Sequence, residues 1–218
     1  LVAHVRAVRQ FGTNNMPDCS NMCHESSGSA LVPTVGLGKG SVKLDDFEKS
    51  QLILILGQNP GTNHPRMLTA LQVKIGGDQA LLKGVMKSLV ARGALDKTFI
   101  ADKTDGFDQF AAALNQVSWE QVTSQSGIPR DAVERLAELI AANDRIIACW
   151  AMGLTQHKHA VATIQELVNL LLMRGSIGKP GAGLCPVRGH SNVQGDRTMG
   201  IFEKPAEWFL AALDREFG

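Results

Sequence analysis

Two runs of this chain are apolar without interruption, and much of the remainder alternates apolar and polar positions at helical spacing. Leu52 to Leu56 reads LILIL and leads into Gly57, and DRIIACWAMG places a second run just before Gly153. Short unbroken apolar runs predict strands buried on both faces of a parallel sheet. Around them the period changes to that of amphipathic helices. LVAHVRAVRQFG predicts a short helix ending at Gly12. Ser26 to Leu31 starts another, halted before Pro33 because the residue ahead of a proline is pushed out of the helical region. Gly36 to Gly40 predicts a turn, and LDDFEKS a short polar helix.

DQALLKGVMKSLV predicts an amphipathic helix behind Gly76 and Gly77, with Asp78 as its N-cap. TDGFDQFAAAL and SWEQVTSQSG predict shorter helices. PRDAVERLAELIAAN begins with Pro129, which suits a helix start. HKHAVATIQELVNLLLMRG predicts a long helix closed by Gly175, and KPAEWFLAALDREFG a last one. SIGKPGAGLCPVRGHSNVQGDRTMG is rich in glycine and shows little periodicity. Buried strands alternating with amphipathic helices predict an α/β fold: a doubly wound, mostly parallel sheet flanked by helices. In such sheets ligands sit at the carboxyl ends of the strands. The predicted strands end in GQNPGTNHP and MGLTQH, loops suited to a phosphate or dinucleotide because glycine lets backbone N–H groups come close. Neither loop has the G-x-G-x-x-G spacing of a nicotinamide site.

Composition narrows the classes. With 218 residues the chain buries a core without staples, and its 44% hydrophobic and 20% charged residues are ordinary for a globular domain. A formal net charge of +1 speaks against a nucleic-acid or membrane footprint. Four unevenly spaced cysteines do not form a secreted disulfide framework, so a cytoplasmic setting is expected. No G-x-S-x-G or Walker A pattern marks a hydrolase or a nucleotide triphosphatase.

DCSNMCHESSGSA gathers Cys19, Cys23 and His24. Their C-x-x-x-C-H spacing differs from the C-x-x-C-H of haem attachment, and a structural zinc site would need further ligands at loop spacing. A buried thiol pair and a surface or capping histidine stay open as alternatives. Cys149, Cys185 and the three tryptophans Trp119, Trp150 and Trp208 suit packing or interface roles.

NNMPDCSNMCHE, GQNPGTNHPRM, GGDQALLKG, AMGLTQH and, above all, GKPGAGLCPVRGHSNVQGDRTMG resemble the molybdopterin oxidoreductases, in the formate-dehydrogenase-like branch called the FdhF/YdeP family. The resemblance runs in order over nearly the whole chain. It implies the central domain of a catalytic subunit, with molybdenum held by bis(molybdopterin guanine dinucleotide). It also implies a 4Fe-4S cluster whose ligands lie outside this chain. Residues 1–200 would form the cofactor-binding α/β domain, and residues 201–218 a helix leading onward. A strand of the family is expected between Gln72 and Val73 and is missing there.

Carried over position by position, the resemblance makes Cys23 the molybdenum ligand, His24 the acceptor of the substrate proton and Arg188 the grip on a substrate carboxylate. A soft thiolate, an imidazole titrating near neutrality and a planar two-point guanidinium suit those tasks. The resemblance also places His190 and Asn192 in that pocket. Cofactor contacts fall to Gly57, Asn59, Asn63, His64, Gly76, Gly77, Asp78, Met152, Gly153, Gln156, Gly189, Asn192, Gln194 and Gly195. The implied activity is two-electron oxidation of formate or a similar small molecule, with an electron acceptor protein as partner. The rival reading is a pterin- or nucleotide-binding module without catalysis.

Overall fold

Three parallel strands in the order β1-β2-β3 carry the structure: β1 (Leu52–Leu56), β2 (Ile146–Trp150) and β3 (Gly183–Pro186). The computed structural model describes residues 2–13, 16, 23–58, 73–190, 195–196, 199–201 and 205–217. These divide into two compact units, one from Leu1–Glu25 with Arg188–Gly218, the other Ser26–Val187.

The larger unit holds the sheet. Leu54 is in register with Ala148, and Ala148 with Leu184. Two rungs further, Leu56 pairs with Trp150 and Trp150 with Pro186. Side chains alternate across a sheet. One face therefore carries Leu52, Leu54, Leu56, Ile146, Ala148, Trp150 and Leu184, all part of or packed on the main core. The other carries Ile53, Ile55, Ile147, Cys149 and Cys185. Burial of β1 on both faces is not what the structure shows. Ile53 and Ile55 each keep 38% of their surface exposed, because β1 is an edge strand whose second face is not fully packed. Strand β3 lies in the Gly-rich stretch without periodicity. It is short and carries Gly183 and Pro186, so its pairing with β2 rather than its own pattern makes it a strand.

Helices follow the apolar spacing: α1 (Val2–Gln10), α2 (Glu25–Val35), α3 (Leu44–Lys49), α4 (Asp78–Arg92), α5 (Lys97–Lys103), α6 (Phe107–Gln116), α7 (Trp119–Ser126), α8 (Arg130–Ala141), α9 (Met152–Thr155), α10 (Ala160–Met173) and α11 (Glu207–Phe217). Helix α2 runs through Pro33 rather than stopping before it. The carbonyl that Pro33 cannot bond belongs to exposed Ser29, and Thr34 Oγ1 donates to Ala30 O at 2.8 Å, which completes the last turn. Gly77, not Asp78, is the N-cap of α4, and Asp78 is its first residue. Helix α5 has no strong periodicity. Its N-cap Asp96 accepts from Phe99 N at 2.9 Å.

Helix α4 is the hub of the larger unit, packing on α6, α7, α8 and α10. Leu81, Leu82, Val85, Met86 and Leu89 are buried along it. Each such side chain contributes roughly 1.5–3 kcal/mol by leaving water. Gly84 permits the close approach of α7, since a Cβ there would lie 2.6 Å from Val122 Cγ1. Polar bonds fix the angle to α8. Buried Ser88 donates to the Glu134 carboxylate, and Arg92 bonds Glu134 and Glu138, both at 3.0 Å. The Arg174 guanidinium closes the opposite side, donating to Ala94 O, Ala141 O and Asn143 O at 2.7, 3.1 and 2.9 Å.

The smaller unit joins α1 and α11. Arg9 donates to Met199 O at 2.6 Å and lies 5.1 Å from the centre of the Phe209 ring. No helix among the described residues is long and apolar enough to cross a membrane.

Candidate functional site

The carboxyl ends of β1 and β2 meet through two glycines. Beyond the last rung, Ala151 N donates to Leu56 O at 3.2 Å and Gly153 N to Gly57 O at 2.9 Å, so the ladder continues into both loops. Gly57 has φ +61°. A Cβ on it would lie 2.5 Å from Leu154 N, and one on Gly153 would lie 2.8 Å from Gly57 O. The close approach that these glycines permit is thus of one loop to the other. Both are also where the ligand crevice of such a sheet opens.

His157 joins a third segment to this end. Its ring bonds the Gly153 carbonyl and lies 4.0 Å from where a Gly76 Cβ would stand. Asp78 is half-buried; burial pushes its carboxyl above the ordinary range, while its own backbone and His157 pull the other way. Gly57, Gly76, Gly77, Asp78, Met152, Gly153 and Gln156 therefore share one end of the larger unit. Met152 is 46% exposed and Gln156 is exposed, so both side chains are accessible there.

Gln58 was not singled out by the sequence. Its Nε2 is buried and finds no hydrogen-bond partner among the described residues. An orphaned buried donor costs about 1–3 kcal/mol. It is the kind of group that a ligand with acceptors in a plane, such as a pterin or guanine edge, would satisfy. The residues present fit such a cofactor in this respect.

Cys23 and His24 directly precede α2 and are 6% and 1% exposed. Burial excludes a surface role for His24; it directly precedes α2, so the capping role stays open. The chain just after them is pinned firmly. Ser26 Oγ donates to Thr155 O at 3.0 Å, and Trp150 Nε1 to buried Ser27 Oγ at 2.9 Å. Arg188 follows β3 after Val187, whose N–H donates to Trp150 O at 2.8 Å. It is partly buried and engaged in interactions of its own. Cys23, His24, Arg188, Gly189, His190 and Gly195 all belong to the smaller unit. Gly189 is exposed with open space around it, and Gly195 is partly buried. Cys19, Asn59, Asn63, His64, Asn192 and Gln194 lie outside the described residues. Among the described residues no three His, Cys, Asp or Glu side chains gather in a way that could hold a metal ion.

Comparison with known proteins matches this architecture. The model of the molybdopterin oxidoreductase family covers residues 5–204. An uncharacterised oxidoreductase of Mycobacterium tuberculosis (strain ATCC 25618 / H37Rv) is 48% identical over 97% of this chain and 34% of its own length. Protein YdeP of Escherichia coli (strain K12) is 43% identical over 96% of this chain and 35% of its own length. A Staphylococcus aureus (strain USA300) protein, provisionally named a formate dehydrogenase, is 31% identical over 95% of this chain and 25% of its own. The chain thus spans about a third of the length of the first two relatives. The mycobacterial alignment runs over 262 residues, more than this chain contains, so that relative has residues without a counterpart here. Among solved structures, acetylene hydratase from Pelobacter acetylenicus superposes with a TM-score of 0.66 at 18% identity, over 82% of this chain and 28% of that one. That likeness supports the fold alone.

Proposed function

This chain belongs to the molybdopterin oxidoreductase family, and from that premise we propose that the protein containing it oxidises formate or a similarly small carboxylate by two electrons. The bound group would be the bis(molybdopterin guanine dinucleotide) form, with electrons leaving through a 4Fe-4S cluster to an acceptor protein. When bound, the molybdenum–pterin group supplies the two-electron redox chemistry, and the protein positions and tunes it.

The chain's own residues have four tasks. Cys23 would offer a soft thiolate to the metal from just before α2, whose first N–H groups favour a negative neighbour. His24, buried beside it in sequence, would take the substrate proton on a ring nitrogen in a setting closed to bulk water. Arg188 would hold the carboxylate by two parallel N–H bonds. Gly57, Gln58, Asn59, Asn63, His64, Gly76, Gly77, Asp78, Met152, Gly153, Gln156, Gly189, Asn192, Gln194 and Gly195 would hold the pterin and its nucleotides.

The observation that carries this reading is the membership of Cys23, His24 and Arg188 in one compact unit, although they come from opposite parts of the chain. The test uses the full-length protein, purified without oxygen. Molybdenum, released guanine nucleotide and formate-dependent dye reduction are measured in wild type, Cys23→Ala and Cys19→Ala. The reading expects molybdenum with guanine nucleotide, turnover in wild type, and far greater loss of turnover in Cys23→Ala than in Cys19→Ala. Cofactor without turnover on any small carboxylate would instead establish the binding-module alternative.

A further inference from the structure

The rung that ends the second face of the sheet is made of two thiols. Cys149 on β2 and Cys185 on β3 are in-register partners of parallel strands, so both side chains leave the same face side by side. Neither belongs to the main core cluster, and neither is in a disulfide. The preceding rung on this face holds Ile53 and Ile147, and Ile55 is the β1 neighbour of Cys149. Only at this rung do two sulfurs meet.

Adjacent strands run about 4.8 Å apart, which lies inside the Cα separation of about 4.4–6.8 Å that a disulfide spans. On parallel strands the Cβ atoms start at about the same spacing, so closure requires them to approach by about 1 Å. Strand β3 is an edge strand of this sheet and only four residues long, so it can yield that distance more readily than β2.

The two thiols are unequal. Cys149 is 5% exposed, whereas Cys185 is partly exposed. We propose that the pair is an oxidisable dithiol: Cys185 attacks a hydroperoxide, and Cys149 then closes a disulfide onto it. In the first step the Cys185 sulfur takes an oxygen from the peroxide. The O–O bond breaks, the sulfur is oxidised by two electrons to a sulfenic acid, and the peroxide leaves as an alcohol or as water. In the second step the Cys149 sulfur displaces that oxygen. The S–S bond forms, and the Cys149 proton leaves with the hydroxyl as water.

The electrostatics agree with this division of labour. Hydrogen bonding from Cys149 pulls the Cys185 thiol below its ordinary range, towards the reactive thiolate. The same bond, together with burial, holds Cys149 protonated, well above that range. The partly exposed sulfur is the nucleophile and the buried one resolves it.

Peptide mapping of the full-length protein tests the proposal. The native protein is treated with hydrogen peroxide, blocked with N-ethylmaleimide and digested with trypsin. Cys149 lies in the tryptic peptide 146–158 and Cys185 in the peptide 175–188. The expected result is a linked species of these two peptides that grows with peroxide and disappears on reduction with dithiothreitol. In Cys149→Ser the resolving thiol is gone, so dimedone labelling of Cys185 should rise several-fold over wild type. Recovery of both peptides separately alkylated after native treatment would overturn the proposal, as would linkage of Cys185 to any other cysteine. The wild-type map decides the matter even if the variant does not fold.

Discussion

Gly153→Ala tests the claim that two loops are joined through their backbones at the carboxyl end of the sheet. The added Cβ would stand 2.8 Å from Gly57 O and 2.9 Å from Gly57 C, with Gly57 Cα nearer still. These are backbone atoms, so no side chain can swing aside. The loops must separate, and the 2.9 Å bond from Gly153 N to Gly57 O is strained or lost. Overpacking of this kind costs about 1–3 kcal/mol, and the lost hydrogen bond adds about 1 kcal/mol. A total of about 2–4 kcal/mol lowers the melting temperature of a domain this size by roughly 4–16 °C. Trp150 is fully buried three residues upstream, so tryptophan fluorescence during denaturation reports on this region. Gly28→Ala is the matched control. Gly28 is helical and nothing lies within 4 Å of its added Cβ, so that change should stabilise by about 0.5–1 kcal/mol. If Gly153→Ala melts with wild type while Gly28→Ala shifts as stated, the loops are not locked together and the geometry at this site is wrong.

Three further outcomes follow from individual side chains. Arg188→Lys keeps the charge but loses the two-point grip, so kcat/KM on a carboxylate substrate should fall about ten-fold to a hundred-fold. Molybdenum content should be retained, and Arg188→Met should be worse; loss of molybdenum in both would move Arg188 into cofactor binding. Gln58→Leu removes an orphaned donor, so the cofactor-free protein should be as stable as wild type or more stable, while the full-length protein should incorporate less molybdenum. Equal cofactor content would show that Gln58 serves no ligand. Glu134 is held below the ordinary carboxylate range, first by the Ser88 hydroxyl and then by Arg92. A depressed folded pKa stabilises above the unfolded value of about 4.3 and loses that contribution as pH falls through the folded value. Wild type should therefore exceed Glu134→Gln in stability near neutrality, and the gap should close below pH of about 4. A gap independent of pH, read from urea midpoints, would contradict it.

The elements legible in the sequence are those whose own pattern suffices. LILIL and IIACW are strands because five apolar residues in a row have no polar face to turn outward, and both end at the glycine loops that the pattern marked. Helix α8 follows its spacing from Pro129 onward. Elements that depend on neighbours were not legible. GLCP is a strand because the edge of β2 pairs with it, and α2 passes Pro33 because a threonine hydroxyl and an exposed carbonyl absorb the missing bond. The apolar run of β1 was read correctly as a strand and too strongly as a buried one. Whether a face is covered depends on what lies over it, and Ile53 and Ile55 show that the run is written for more cover than the described residues give.

The candidate site divides along the same line. Gly57, Gly76 and Gly153 could be found from sequence because a glycine at the end of a strand or the start of a helix has a local meaning, and the structure places all three at one end of the larger unit. Cys23, His24 and Arg188 have no such local signal. No spacing links a cysteine near the start of the chain to an arginine near its end, and only resemblance to a family proposed them together. Gln58 had neither kind of signal. Its importance is that its amide is buried and unsatisfied, a property that comes into being when β1 and its following loop fold. The Cys149–Cys185 pair is of the same kind: each cysteine alone is an inert packing residue, and only the register of β2 with β3 makes them a dithiol. Chemistry that arises from register or from burial must therefore be sought in the fold, because in the sequence its parts are individually unremarked.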